Sequence, residues 1–475
     1  MTSATGSADL SSWPQAGGET GLAAGDAICR TLAATAGLDR ADAFVAWLSD
    51  SRDDAYCRAQ GRTGRRARGC AEGAAEAGPW VRTDGATFGA GIVDLLAGEV
   101  YVPVDRDESG VRVPPDLVFT GTGPDGEAGS ATCGDWTSTD GATLVGDTRG
   151  TTTAWSFVSS GSCSRPKRLL CLDPTSGPPI SPTTSPGRLA FVTAVSGPGD
   201  LAQWKESGGE QGPAAGDAIC RGLAAAALLP AAESFKAWLS STDVRASDRF
   251  ENDGPWVRLD GVLVAGGIDE LEQGALESSL HLTEEQRYLG PVSVWTGSGA
   301  PGADNCADWT SSAAADRGVT GLVNRASALW ADERAPRDCS MSNRLYCLAD
   351  RELAPEVCVE DEETLCLGVG GRFRGRIGFT PPDDATRPGR VVSIDRRDSG
   401  LFYFFDENNA ELLLKVLDGC AVNNRFWVFF AATTSVEFSL TVEDTASGQI
   451  RQYSEDSGFF AAPVVADTDA FATCP

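Results

Sequence analysis

The side chains best suited by type and spacing to do chemistry lie in "CRAQGRTGRRARGC", residues 57 to 70. There Arg58, Arg62, Arg65, Arg66 and Arg68 stand between Cys57 and Cys70. A bond between the two cysteines would close a ring of fourteen residues, worth roughly 3 kcal/mol against the open loop on chain-entropy reasoning. Guanidinium groups held together by such a ring suit a sulfated or phosphorylated polyanion or an acidic partner, because their planar forks pair bidentately with those groups. The competing reading is internal. The chain carries a formal charge of −28, so these arginines have carboxylates of their own protein to meet.

Other chemistry is scarce. Nucleophilic catalysis of the Ser-His-Asp or Cys-His kind needs a histidine base, and the only histidine, His281, sits in "SSLHLTEEQ", which reads as a surface loop. No phosphate-cradling P-loop and no G-x-G-x-x-G ahead of a helix occurs, and "LGVGGRF" (367–373) reads as a glycine turn between strands. A carboxylate pair for glycoside hydrolysis stays open, since with 67 Asp and Glu residues some pair is always close. No C-x-x-C spacing occurs, which leaves no ordinary zinc set. Asp135 in "CGDWTS" and Asp308 in "CADWTS" are single carboxylates, short of the roughly six to eight oxygens that calcium takes. We therefore expect no catalytic residue, no metal and no cofactor.

The acidic balance argues against nucleic acid and anionic membranes as partners, which require clustered positive charge. No run approaches the roughly 18 apolar residues of a membrane-spanning helix. Fourteen cysteines fall as six, four and four along the three thirds of the chain. Even counts of this kind indicate disulfide frameworks and an oxidising compartment, so the expected location is extracellular or at a cell surface.

The elements that must position these residues come from a duplication. "DLSSWPQAGGETGLAAGDAICR" from Asp9 matches "DLAQWKESGGEQGPAAGDAICR" from Asp200, an offset of 200 − 9 = 191. From "GPWVRTDG" and "GPWVRLDG" onward the offset is 176 (Trp256 against Trp80), so the first copy holds 191 − 176 = 15 extra residues, around Cys57 to Cys70. The basic ring is thus an insertion on a scaffold that folds without it. A Pro, Ser and Thr-rich stretch at 173–187 reads as a stiff spacer between copies. In each copy "AAGDAICR" opens an amphipathic helix, with Asp26 at its N-terminal turn and Ile28 and Leu32 inward. "ADAFVAWLS" reads as a second short helix that buries Phe44, Trp47 and Leu48. The second copy begins with a strand-like run, "RLAFVTAV", that the first lacks. No secretory signal is visible either, and one upstream start for the natural chain would explain both.

The order helix-Cys, "FKAWLSS" (235–241), "SVWTGSGAPGADNCADW" (293–309) and "DCSMSNRLYCLAD" (338–350) resembles the collagen-derived endostatin domain, within the C-type-lectin-like fold. The resemblance covers both copies. It implies nested disulfides, Cys29 with Cys171 around Cys133 with Cys163, and Cys220 with Cys347 around Cys306 with Cys339. Cys57 and Cys70 are then the extra pair of the first copy. Neither the endostatin zinc histidines nor the Glu-Pro-Asn loop of calcium-dependent lectins is present. Residues 358–475 differ: "GLFYFFD", "RFWVFFAATT" and "VEFSLTVEDT" alternate as the strands of a β-sandwich, similar to modules on secreted bacterial proteins. Cys358 with Cys366 and Cys420 with Cys474 are available to tie it. Phe402, Phe404 and Trp427 read as core before ligand platform.

The fold expected is α+β: endostatin-like domains at 1–172 and 188–350 joined by 173–187, then an all-β sandwich at 351–475. The expected function is a secreted or surface-bound, non-catalytic binding or adhesion protein for an extracellular glycan, polyanion or protein. A structural envelope component is the alternative, and a carboxylate-dependent hydrolase a weaker one.

Overall fold

Ile28, Leu32 and Ala33 repeat at helical spacing and share one buried face of helix α1 (Gly21–Thr35). Gly25 lets that face approach the neighbouring strand, since a Cβ there would lie 2.9 Å from Leu48 Cδ1. Eight short strands complete the first repeat: β1 (Val45–Ala46), β2 (Trp80–Val81), β3 (Thr87–Gly89), β4 (Leu117–Phe119), β5 (Ala142–Asp147), β6 (Ser159–Ser162), β7 (Arg168–Leu169) and β8 (Cys171–Leu172). The second repeat has β9 (Arg188–Val192), helix α2 (Gly212–Ala226), β10 (Phe235–Ala237), β11 (Trp256–Arg258), β12 (Leu263–Ala265) and β13 (Ser293–Trp295). It continues with β14 (Arg317–Gly318), β15 (Thr320–Leu322), β16 (Arg337–Asp338) and β17 (Arg344–Ala349). This computed structural model describes the chain except residues 72, 74–76, 179, 181, 228, 299–303, 352–357, 369–370, 382–384, 393, 395, 456–463 and 475. Parts of the insertion, of the spacer, of "SVWTGSGAPGADNCADW" and of "LGVGGRF" therefore lie outside the described residues.

The architecture is α+β, richer in strand than in helix. All fourteen cysteines are paired in the structure. Cys29–Cys171 staples α1 to β8 and Cys220–Cys347 staples α2 to β17, with Cys133–Cys163 and Cys306–Cys339 nested inside. Cys57–Cys70 closes the ring, while Cys358–Cys366 and Cys420–Cys474 tie the last segment.

One strand separates the sheets of the two repeats. In the second, the order β12-β11-β9-β17-β13-β15 makes one continuous sheet, with β9 bridging the β11–β12 hairpin to β17. In the first, β2–β3 is a separate pair, β1–β8 another, and β6-β5-β4-β7 a third group.

Several expectations need correction. "ADAFVAWLS" forms a single 3-10 turn at Ala41–Ala43 and then strand β1, whose pairing with β8 (Val45 opposite Leu172) outweighs any short-helix preference. Trp47 and Leu48 are buried as expected, Phe44 only in part. Because α1 starts at Gly21, Asp26 lies beyond its first turn and works across the fold instead. His281 is fully buried rather than on a surface loop. Nor does the spacer run free: Gly177 N–H donates to Gly78 O (2.9 Å) in the first repeat and Ser185 N–H to Gly261 O (2.9 Å) in the second.

The last segment forms two five-stranded sheets around one core that includes Phe373, Ile377, Leu414, Val428 and Leu440. Phe402 and Phe404 are buried in it, whereas Trp427 is half-buried, with its indole N–H on Asn423 Oδ1 at 2.8 Å.

The repeats face each other about an approximate two-fold axis. Residues 149–151 run antiparallel to 324–326, close to their own counterparts at 325–327 (149 + 176 and 151 + 176). Arg258 reaches Val100 O of the first repeat and Arg112 reaches Leu276 O of the second, equivalent carbonyls (276 − 176 = 100) met by non-equivalent arginines.

Candidate functional site

The arginine ring is held by carboxylates of its own repeat. Arg58 is 7% exposed; its Nη2 lies 2.5 Å from Asp26 Oδ1, and its Nε donates to Leu48 O at 3.3 Å. Arg249 makes the same contacts in the second repeat, to Asp217 (2.7 Å) and to Leu239 O. Since 249 − 58 = 191, Arg58 belongs to the shared scaffold and the insertion starts after it. Arg65 pairs with Asp54 (2.6 Å) and donates to Ser51 O (2.6 Å). Arg66 stacks 4.6 Å above the Tyr56 ring and donates to Asp125 O. Arg62 is half-buried and Arg68 exposed. Asp54, 1% exposed, organises this loop, accepting also from the Arg66 N–H (2.8 Å) and the Ala128 N–H (2.9 Å).

Asp135 and Asp308 each accept from a backbone N–H, of Ser51 (3.0 Å) and Thr242 (2.6 Å). Residues Cys306 to Trp309 all have positive φ, a left-handed turn that L-residues adopt at a cost of roughly 1–2 kcal/mol each. Asp135 accepts from Ser51 N–H (3.0 Å), Ser51 O–H (2.6 Å) and Thr132 O–H (2.7 Å), which pins the equivalent turn. Among the described residues no group of three or more His, Cys, Asp or Glu side chains is arranged to hold a metal ion.

A buried polar seam joins the repeats. Asp105, fully buried, meets Arg82 (2.7 Å), Arg106 (2.9 Å), Arg112 (2.9 Å) and Arg149 (2.9 Å), and Glu277 of the second repeat meets Arg106 and Arg112 (3.1 Å each). The counterpart of Asp105 is His281 (281 − 176 = 105). It meets a single guanidinium, Arg258, already paired with Asp260 at 2.7 Å. Arg258 can only donate, so His281 Nδ1 accepts from it at 3.2 Å and the imidazole is neutral. Burial first, then Arg258, pushes its pKa down to about 3. Four arginines call for a carboxylate; one neutralised arginine accepts a neutral ring.

A groove of about 500 Å³ lies between β2 and β8, lined by Met1, Phe44, Trp80, Val81 and Leu172 among others. The ring adjoins it: Gly61 faces Pro174, which lies between the lining residues Asp173 and Thr175. Val81 is 54% exposed, whereas its counterpart Val257 is 3% exposed. Neither Asp54 nor this groove was visible from composition or motif.

No family model, no curated protein and no solved structure matches this chain. No helix among the described residues is long and apolar enough to cross a membrane.

Proposed function

We propose that the protein is an exported, non-catalytic binding protein whose first repeat carries the ligand face, with the second repeat as its buttress. The endostatin-like reading of both repeats is part of this proposal, supported by a first helix stapled to the last strand around a nested second disulfide. Seven disulfides support an oxidising compartment. The observation that carries the binding role is the stapled, arginine-rich ring that the first repeat adds to the shared scaffold.

The test is an array of extracellular glycans and peptides probed with the oxidised protein and with a variant in which Arg62, Arg65, Arg66 and Arg68 become Ser. Ligands held by the first and lost by the second support the reading. Equal binding by both proteins puts the ligand face elsewhere, turnover of an array member contradicts the non-catalytic role, and no binding at all favours a structural envelope component.

The exposure of Arg68 beside the half-buried Arg62, Arg65 and Arg66 narrows the ligand class. It makes the ring a weak polyanion site. Retention on heparin at low salt, lost when Arg62, Arg65, Arg66 and Arg68 become Ser, checks it.

A further inference from the structure

The two repeats furnish one place differently. In the second repeat a pocket of about 460 Å³ opens over an apolar floor of Trp238, Ala246, Leu271 and Ala331, each at most 9% exposed. Arg245, Ser247 and Glu272 also line it.

The register between the copies is fixed here by a shared turn. Ser240 Oγ accepts the Ala246 N–H at 3.0 Å, as Ser49 Oγ accepts the Ala55 N–H at 2.8 Å, and both pairs stand 191 residues apart (240 − 49 and 246 − 55). Arg245 and Ser247 are therefore the counterparts of Asp54 (245 − 191) and Tyr56 (247 − 191). The short helix Ile268–Gln273 repeats Ile92–Ala97 at the later offset, which sets Glu272 against Leu96 (272 − 176).

In the first repeat these three positions form a plug. Tyr56 and Leu96 pack against the core that contains Trp47, the Arg66 guanidinium covers the Tyr56 ring at 4.6 Å, and Asp54, 1% exposed, pairs with Arg65 at 2.6 Å. The second repeat has Ser for Tyr, Glu for Leu and Arg for Asp. An aromatic and an aliphatic side chain are gone from the site, and a guanidinium stands where a carboxylate stood.

The two charges that replace the plug do not neutralise each other. Arg245 is exposed and has no hydrogen bond or ion pair among the described residues. Glu272 accepts from the Ser247 O–H through Oε1, and its Oε2 has no partner among the described residues. A guanidinium pairs with a carboxylate through parallel N–H donors, and a carboxylate accepts from an ammonium. The apolar floor between them suits the body of a small ligand.

We propose that this pocket binds a small zwitterion, a free apolar amino acid, whose carboxylate meets Arg245, whose ammonium meets Glu272 and whose side chain rests on the floor around Trp238 and Leu271. The site lies in the second repeat and does not depend on the arginine ring, so it goes beyond the polyanion reading.

The experiment titrates the full oxidised protein by calorimetry with L-phenylalanine and L-leucine, beside N-acetyl-L-phenylalanine, which lacks the ammonium, and L-phenylalanine amide, which lacks the carboxylate. The expected result is saturable one-to-one binding of the zwitterions, with each analogue weaker by about tenfold or more. Arg245→Gln should weaken L-phenylalanine similarly and leave the amide unchanged; Glu272→Gln should weaken it and leave the N-acetyl form unchanged. Both side chains are exposed, so both variants should keep the melting temperature of the wild type. Ser247→Tyr with Glu272→Leu rebuilds the plug of the first repeat and should abolish binding. No saturable binding of either amino acid by the folded wild type overturns the proposal, as does binding indifferent to Arg245→Gln or equal for L-phenylalanine and its two analogues. The variant with Arg62, Arg65, Arg66 and Arg68 replaced by Ser should take up L-phenylalanine as the wild type does, whether or not the wild type is retained on heparin; loss of uptake there would place the site at the ring and overturn the proposal.

Discussion

Arg58 and Arg68 are ten positions apart in one basic run and have opposite surroundings. Removing the Arg58 guanidinium strands Asp26, whose side chain is 15% exposed and which also accepts the Ala46 N–H at 2.9 Å. Arg58→Ser should therefore cost on the order of 3 kcal/mol in denaturant unfolding, whereas Arg68→Ser should change stability by less than about 0.5 kcal/mol. Equal costs would mean that Arg58 is not the scaffold arginine its match with Arg249 makes it. His281 gives a pH prediction with a definite sign. Its pKa falls from 6.5 to about 3 in the fold, so between those values the unfolded chain binds a proton that the native state refuses. Stability due to this group is fully present above about pH 6.5 and is lost as pH falls toward 3. Denaturation midpoints of His281→Asn should fall less steeply across that window than those of wild type; parallel curves would contradict a buried neutral ring. Neither residue's role could be read from the chain alone. Arg58 looked like a member of a cluster because the inserted residues hide its repeat register, and a lone histidine among polar neighbours carries no mark of burial.

At the scale of elements the repeat made more legible than any propensity did. The two long helices and the extra pair at Cys57 and Cys70 follow from aligning the copies, whereas the nested pairing was implied only by the resemblance. The reading of "ADAFVAWLS" as helix failed because its structure is set by a distant partner: Val45 and Ala46 pair with Leu172 and Cys171, more than a hundred residues away. Local pattern cannot report such pairing. The ring is the element most open to a direct test. Cys57→Ala with Cys70→Ala opens the fourteen-residue loop, which should lower stability by roughly 3 kcal/mol. The Arg58–Asp26 pair should survive, so Arg58→Ser should cost as much in the opened protein as in the closed one. Strong non-additivity would show that ring and scaffold are a single unit.

At the scale of the whole molecule, the two copies are halves of one two-fold arrangement sealed by buried charge, which a spacer-and-beads reading of the chain does not anticipate. The seam is invisible in sequence because its two halves have diverged, Asp105 facing four arginines where His281 faces one. Separating them would take Glu277 from Arg106 and Arg112 and Asp147 from Arg325, a penalty for ions that stay partly buried. After proteolysis within 173–187 the two pieces should therefore co-elute in gel filtration. Independent elution would show that the seam is too weak to hold the arrangement.

Among the described residues the sheets of the two repeats differ by one strand, β9 of the second. Hydrogen exchange of the oxidised protein, resolved to peptides, tests this most directly. Amides at 80–82 and 170–172 should exchange at least about tenfold faster than their counterparts at 256–258 and 346–348, because one set borders a groove and the other a paired strand. Equal protection of the two sets would contradict this difference between the two sheets.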